Sequence, residues 1–189
     1  IGLLSILLGF VMQGCIVLLK LASGGAFPGL QLLVDITQGV TWSFLVCAGV
    51  GIATSVMKAR PVIAGVIGLV CAPIGMAAAK GAQKGMSALV GNASSPAVLS
   101  LAVIASLRGV EYAVLAWILA GLVRKSVASL APYVGAGAGV GFVFGTGIAF
   151  LTFITAGDKG IPLGLPQVLA TVFNEIGFPI GCSIVIYVG

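Results

Sequence analysis

Charged residues that could bind an ion stand inside stretches of the chain that are otherwise almost wholly apolar: Asp35, Arg108, Glu111 and Glu175. Two amide side chains lie near them in the sequence, Gln38 and Asn174. Carboxylates can hold a proton or a small cation, whereas arginine keeps its positive charge and pairs with carboxylates. In apolar surroundings each such charge must be paired or hydrated, because an isolated charge there is costly. These six residues are the candidate ion-binding or substrate-binding residues.

The composition places these charges in a membrane. Hydrophobic residues make up 60% of the 189 residues and charged residues 7%, whereas a soluble domain devotes about a quarter of its residues to charge. A hydrocarbon core is crossed by about 20 apolar residues, and apolar stretches of this kind occupy 1–21, 36–57, 61–79, 97–123, 132–156 and 166–188. Short segments rich in glycine, proline, serine and lysine separate them. The sequence predicts an all-α integral membrane protein whose residues 1–189 form a single domain, a bundle of about six helices that cross a lipid bilayer.

The basic residues do not orient this bundle. The predicted loops on one side carry Lys20, Lys80, Lys84 and Lys159, and those on the other carry Lys58, Arg60, Arg124 and Lys125. Because the two counts are equal, the asymmetry that usually sets membrane orientation is missing. With so few basic residues and no polar domain to present them, the chain is not expected to bind nucleic acid.

The residue types also exclude several chemistries. The chain has no histidine, so a serine or cysteine hydrolase that uses a histidine base and a histidine-ligated haem are both excluded. Four cysteines fall inside the apolar stretches without the pair spacing of a zinc site or redox motif: Cys15, Cys47, Cys71 and Cys182. We therefore predict small buried thiols, no metal, no cofactor and no enzymatic activity.

An internal repeat is indicated at an offset of 70 residues. Gly39-Val40-Thr41-Trp42 then falls on Gly109-Val110-Glu111-Tyr112, and an apolar run that ends in basic residues follows each segment. The pattern predicts two-helix units of about 70 residues at 28–95 and 96–165, with 166–189 as part of a third, each starting with a long helix. Two helices return the chain to the side where it started, so such repeats would be parallel, related by an axis along the membrane normal. Asp35 and Glu175 are 140 residues apart, and the repeat predicts that they lie at one depth and face a common interior.

A glycine-rich stretch in "PYVGAGAGVGFVFGTG", residues 132–147, predicts a packing surface. Its spacing fits neither a dinucleotide-binding loop nor a phosphate loop, and no lysine follows it. Gly137, Gly141 and Gly145 recur every four residues and so lie on one face of a helix. In lipid, a face without side chains lets a second helix approach closely and gain dispersion contacts.

Two interpretations of the charged residues follow from the sequence. Arg108 and Glu111 are three residues apart on one helical face and can pair. In the first interpretation these two charges only neutralise each other, and Asp35 lies at headgroup level. In the second, three carboxylates and one arginine form a polar layer inside the bundle that coordinates a proton or a small cation.

The last third of the chain resembles a hairpin of the proteolipid family of rotary ATPases. The residues that carry this resemblance are the glycine-rich "VGAGAGVGFVFGTGIAF", a short polar turn, and "VFNEIGFPIG" with its single carboxylate. The resemblance implies that Glu175 carries the ion. The chain departs from that family in having Arg108 near the critical depth and in lacking an Arg-Gln-Pro type of turn.

Three functions are compatible with these patterns. The first is an oligomeric channel or transporter subunit for protons, small cations or small solutes. The second is a structural subunit whose glycine faces pack against partners in a larger membrane complex, and the third is a proteolipid-like subunit of a rotary ATPase. In each case we expect the partners to be the lipid bilayer and either copies of the same chain or other membrane subunits.

Overall fold

The computed structural model of the chain describes residues 1–56, 60–91 and 98–189. Those residues form six helices and no strand: α1 (Gly2–Ala22), α2 (Gln31–Val56), α3 (Pro61–Leu89), α4 (Leu101–Arg124), α5 (Leu130–Asp158) and α6 (Leu165–Val188). Each of these helices is long and apolar enough to cross a membrane. The all-helical architecture predicted from composition is confirmed for the described part of the chain.

The largest departure from the predicted spans is in α3. The segment 80–85, expected to be a turn because of its glycines and lysines, is helical, and α3 continues to Leu89. Alanine, lysine and glutamine favour a helix, and no proline in this stretch interrupts it. Lys80 therefore belongs to the helical bundle. The longest helices are α3 and α5, at 29 residues each, whereas α2 and α4, expected to be longest, have 26 and 24.

Local residue choices set several helix ends. Pro61 occupies the first turn of α3, where its missing N–H costs nothing, and the Ser100 hydroxyl caps α4 by accepting a hydrogen bond from the Val103 N–H at 3.3 Å. Gly24 and Gly29 have positive φ angles, which permit the tight turn between α1 and α2. Two residues used in the sequence analysis lie outside the described residues. Pro96 begins a predicted repeat unit, and Lys58 is one of the basic residues counted for membrane orientation.

The helices form two layers around a central axis. Three of them, α2, α4 and α6, contact one another in the centre. Outside them, α1 packs against α2 and α6, α3 against α2 and α4, and α5 against α4 and α6. Because the connections are short, consecutive helices run in opposite directions. One end of the bundle, which we call the cavity end, is where α1, α3 and α5 finish and α2, α4 and α6 begin.

Small residues bring these helices close together. A side chain added at Gly68 of α3 would collide with the backbone carbonyl oxygen of Tyr112 in α4. At Gly9 of α1, an added Cβ would lie 2.6 Å from the Cα of Val40 in α2. Contacts at this distance gain dispersion energy that longer side chains at the interface would prevent.

The predicted glycine face of α5 lies against α6. A Cβ added at Gly137 would be 2.6 Å from the carbonyl oxygen of Pro179, and one added at Gly141 would be 2.8 Å from that of Ile176. At Gly145 the nearest atoms, at 3.1 Å, belong to Glu175. Pro179 itself lies inside α6. The three glycines therefore let α5 pack directly on the backbone of the α6 segment that carries Glu175.

The outer surface of the bundle is strongly apolar. Large hydrophobic side chains are exposed on the outer helices, among them Leu3, Val62, Ile74, Phe142 and Phe150. A soluble monomer rarely exposes a continuous apolar surface of this extent. Such a surface is stable where it contacts lipid or another apolar protein surface.

Replacing Gly141 by leucine tests the packing role of the glycine face. We expect a loss of about 1–3 kcal/mol in the free energy of unfolding, because the added side chain must push α6 away. Gly139→Leu is the matched control, since nothing lies within 4 Å of a Cβ at Gly139. The measurement is thermal unfolding of both variants in the same detergent. Equal stability of the two variants would show that the face does not determine packing.

Candidate ion or solute site

A buried ion-pair cluster lies where α4 and α6 meet in the centre of the bundle. Arg108 donates from Nη1 to Glu111 Oε2 at 3.0 Å and from Nη2 to Glu175 Oε1 at 2.7 Å. The exposed fractions are 2% for Arg108, 0% for Glu111 and 5% for Glu175. Asn174 donates to Glu175 Oε1 at 3.3 Å. We call Arg108, Glu111 and Glu175 the charge cluster.

The charge cluster contains one more negative charge than positive charge when both carboxylates are ionised. Three of its buried polar atoms, Arg108 Nε, Glu111 Oε1 and Glu175 Oε2, have no hydrogen-bond partner among the described residues. A buried polar group without a partner costs roughly 1–3 kcal/mol, and more when it is charged. A proton or another positively charged group at the carboxylates would remove this imbalance.

Aromatic rings fix the position of the guanidinium. The Cζ of Arg108 lies 5.3 Å from the ring centroid of Trp42 in α2, which is a cation–π distance. Trp42 in turn makes an edge-to-face contact with Tyr112 of α4, with 5.4 Å between ring centroids. All three central helices therefore contribute to the surroundings of Arg108.

A cavity of about 320 Å³ leads to the charge cluster. Its charged and polar lining residues are Gln13, Lys20, Asp35, Gln38, Lys80, Arg108, Gln167, Thr171, Asn174 and Glu175. Lys20 and Gln167 lie two residues from the ends of their helices, whereas Lys80, Arg108 and Glu175 lie seven or more residues from theirs. Apart from Phe178 of α6, the lining belongs to the cavity-end half of α1, α2, α3, α4 and α6, and no described residue of α5 contributes to it.

The bundle is closed on the far side of the charge cluster. Leu115 and Leu119 of α4 have no exposed surface, and Val50 of α2 is 1% exposed. These residues belong to one hydrophobic core that also includes Val185 and Ile186 of α6. The polar cavity therefore reaches the cluster from the cavity end only.

The structure brings the sequence-predicted site residues to one place. Asp35, Gln38, Arg108, Asn174 and Glu175 all line the cavity, and Glu111 lies behind Arg108. Asp35 is the fifth residue of α2 and Glu175 the eleventh of α6, but α6 begins beside Gly25, which precedes the start of α2.

Asp35 and Glu175 also differ in their partners. Asp35 is half-buried and accepts a hydrogen bond from Gln31 Nε2 at 2.9 Å, whereas Glu175 is buried and paired with Arg108. The repeat-based expectation of equal depth stays a prediction. Their common interior is the cavity, with Asp35 nearer its opening.

Sequence reasoning missed Gln13, Lys20 and Lys80 as lining residues. Gln13 is 8% exposed and its side chain lies against Gly39 of α2. A lone amide midway along an otherwise apolar stretch was a readable signal, because such a group needs a polar neighbour. The two lysines gave no such signal, since lysine is common where helices end at a membrane surface.

The comparisons with known proteins give no relative for this chain. No family model, no curated protein sequence and no solved structure matches it. Functional inference therefore depends on the charge cluster, the cavity and the packing of the chain itself.

Charge counting gives an expected order of stability for variants of the charge cluster. Arg108→Gln leaves two buried carboxylates without a cation, and we expect a loss of about 3–5 kcal/mol in the free energy of unfolding. Glu111→Gln leaves one carboxylate paired with Arg108 and should be milder. Adding Glu111→Gln to Arg108→Gln should recover part of the loss.

Thermal unfolding in detergent measures this order. Lys84→Gln is the control, because Lys84 is exposed and lies outside the cavity lining. If Arg108→Gln were no more destabilising than Lys84→Gln, the ion pairs would not stabilise the bundle.

Proposed function

We propose that the chain is a multi-pass membrane protein that acts as a channel or transporter subunit for protons, small cations or small solutes. The observation that carries this proposal is the polar cavity that ends at the charge cluster. Charged residues inside a membrane are rare, face an interior cavity, and mark pathways for ions or substrates. The apolar outer surface and six helices of spanning length support placement in a bilayer.

The excess negative charge of the cluster favours transport over a purely structural role. Arg108 and Glu111 alone would form a neutral pair, as the simplest interpretation of the sequence requires. Glu175 adds a second carboxylate to an arginine that already has one. A site of this kind is stabilised by taking up a proton or a cation, and it can release that ion when its surroundings change.

The closed apolar core favours a transporter over an open channel. Leu115, Leu119 and Val50 fill the space beyond the cluster. A solute that enters from the cavity end therefore reaches the cluster and no further in this conformation. Passage across the membrane requires a second conformation in which the other side opens, as in alternating access.

We further propose that the bundle contains two parallel two-helix repeats, α2 with α3 and α4 with α5, and that α6 is part of a third. The central position of α2, α4 and α6, with one outer helix packed between each pair, supports a repeat axis along the bundle. Trp42 and Tyr112 are equivalent at the offset of 70 residues, and they contact each other near this axis.

A structural subunit is the alternative, and the outer side of α5 favours it. Gly135, Gly139 and Gly147 have nothing within 4 Å of an added Cβ, and Phe142 and Val143 are exposed beside them. Such a surface could pack against another membrane helix. The proteolipid-like alternative has less support, because Glu175 is buried and paired with Arg108 inside the chain, not presented to a partner.

The mass of the purified protein in native detergent tests the structural alternative. If the chain serves mainly to pack within a larger complex, we expect it to be recovered with other subunits at fixed stoichiometry. A transporter is expected as a monomer or a homo-oligomer. Recovery only in a heteromeric complex would favour the structural role.

Neutralising carboxylates tests the transport function. In liposomes with a pH-sensitive dye inside, we expect the wild-type protein to pass protons or to couple proton movement to an added solute. Asp35→Asn combined with Glu175→Gln should abolish this activity while the protein stays folded, because these changes preserve shape and remove only charge.

Asp158→Asn is the matched control for the transport measurement. It removes an exposed carboxylate at the end of α5, outside the cavity lining, and should leave the flux unchanged. Equal flux through wild type, control and double variant, all at the level of protein-free liposomes, would contradict the proposed function.

A further inference from the structure

We propose that the cavity binds a small carboxylate-bearing solute together with one proton, the solute replacing Glu175 at Arg108 while Glu175 takes the proton. This inference rests on the proposed function and narrows its substrate class. It follows from the lining of the cavity and from the charge balance of the cluster.

The cavity lining favours an anion. Outside the charge cluster, Lys20 and Lys80 contribute two positive charges and Asp35 one negative charge, whereas Arg108 is already paired with Glu111 and Glu175. Neither lysine forms an ion pair with a described residue, and Lys80 Nζ donates only to the neutral Gln83 at 2.9 Å. Several amides in the lining add further hydrogen-bond donors: Gln13, Gln38, Gln167 and Asn174. Lys80 also interacts electrostatically with the Asp35 carboxylate, so an entering anion meets two lysines and one carboxylate before it reaches the cluster.

The floor of the cavity already binds a carboxylate. Arg108 Nη2 donates to Glu175 Oε1 at 2.7 Å, and both residues line the cavity. The planar guanidinium fits a carboxylate with parallel hydrogen bonds. A solute carboxylate can take the place of Glu175 with the same donor, whereas Glu111, behind Arg108 on the same helix, keeps its own hydrogen bond.

Charge balance couples this exchange to one proton. Before binding, Arg108 faces Glu111 and Glu175, with a net charge of one negative unit. If an anion entered alone, the net charge would become two negative units in a site shielded from water. Protonation of Glu175 keeps the net charge at one negative unit, and the protonated carboxyl can donate a hydrogen bond to the solute. Anion and proton are therefore bound, and carried, in equal number.

A hard cation fits the same site less well. Sodium and larger ions need several oxygen ligands around them, but Arg108 lies between the two carboxylates and repels a cation there. The lysines in the cavity lining add to this repulsion. A proton avoids the difficulty, because it binds one carboxylate oxygen and needs no ligand shell.

The other ionisable groups near Glu175 come from five of the six helices. They are Lys20 on α1, Asp35 and Cys47 on α2, Lys80 on α3, Arg108, Glu111 and Tyr112 on α4, and Cys182 on α6. From α5, the residue against Glu175 is Gly145, which has no side chain. Asp35, hydrogen-bonded to Gln31 near the opening, and Glu111, paired with Arg108, are the other carboxylates that could take a proton. Neutralising each of them in turn is the control for the assignment to Glu175.

The test uses Trp42 as a reporter of binding. The chain has two tryptophans, so Trp117→Phe, which changes a half-exposed outer residue, leaves Trp42 beside Arg108 as the only one. The purified protein in detergent is titrated with the choline salts of formate, lactate, succinate and benzoate, and with neutral lactamide. We expect a saturable fluorescence change with at least one carboxylate and none with lactamide, accompanied by uptake of about one proton per anion in weakly buffered solution.

Variants show which residues bind the anion and which residue takes the proton. In Glu175→Gln we expect anion binding to persist and proton uptake to fall to about zero, whereas Asp35→Asn should keep both. Lys80→Gln should weaken anion binding about tenfold through loss of a charge-assisted hydrogen bond, and Lys84→Gln should not. If Glu175 had only a structural role, Glu175→Gln would leave the number of protons taken up per bound anion unchanged.

Three results would overturn the proposal. One is the absence of a saturable change with all four carboxylates, and another is anion binding without proton uptake in the protein with Glu175 intact. The third is an equal fluorescence change with sodium chloride in place of the choline salts, which would assign the site to a cation. Proton flux through liposomes in any of these cases would leave the proposed transport function standing, whereas anion binding without flux would leave the binding site and remove the transport function.

Discussion

A guanidinium buried in the centre of an apolar bundle must be neutralised there, and much of the geometry around it serves that requirement. Glu111 can neutralise Arg108 from one turn away on the same helix. Glu175 can do so only if α6 approaches α4 closely at one register, and the glycine face of α5 allows this by packing on the α6 backbone beside Glu175. Trp42 then confines the guanidinium from the third central helix. Stability and site geometry therefore have the same origin.

The second carboxylate, Glu175, distinguishes the charge cluster from a simple ion pair. A pair of opposite charges has no reason to exchange ions, because it is already neutral. Two carboxylates on one arginine retain an unsatisfied charge, and the cavity gives that charge access to solutes from one end of the bundle. An apolar core lies beyond the cluster. In the proposed function, the cavity is the access route, the second carboxylate supplies the exchangeable charge, and this core is the barrier.

The sequence predicted the helices well because long apolar stretches report directly on burial in lipid. It also placed Arg108 beside Glu111, since three residues on a helix bring side chains together. The contact between Arg108 and Glu175 spans 67 residues and depends on helix packing, which no local pattern determines. The equal depth that the repeat assigns to Asp35 and Glu175 stays a prediction, because it also concerns the packing of helices that are far apart in the sequence. Lys80 was not predicted to line the cavity, because its glycine-lysine segment resembles a turn. The segment is helical, since its alanine and glutamine favour a helix.

Pro179 in α6 has a consequence for how the bundle could move. Proline has no N–H, so the backbone carbonyl of the residue four positions earlier, which is Glu175, receives no helical hydrogen bond. The helix therefore bends most easily near Glu175, the residue whose side chain reaches Arg108. Gly177, between the two residues, adds no bulk to resist a bend. If α6 bent at this level, release of Glu175 from Arg108 would be coupled to a movement of the half of α6 beyond Pro179. That half carries Val185 and Ile186, which belong to the hydrophobic core. Loading the site and opening the opposite side would then be two aspects of a single bending motion.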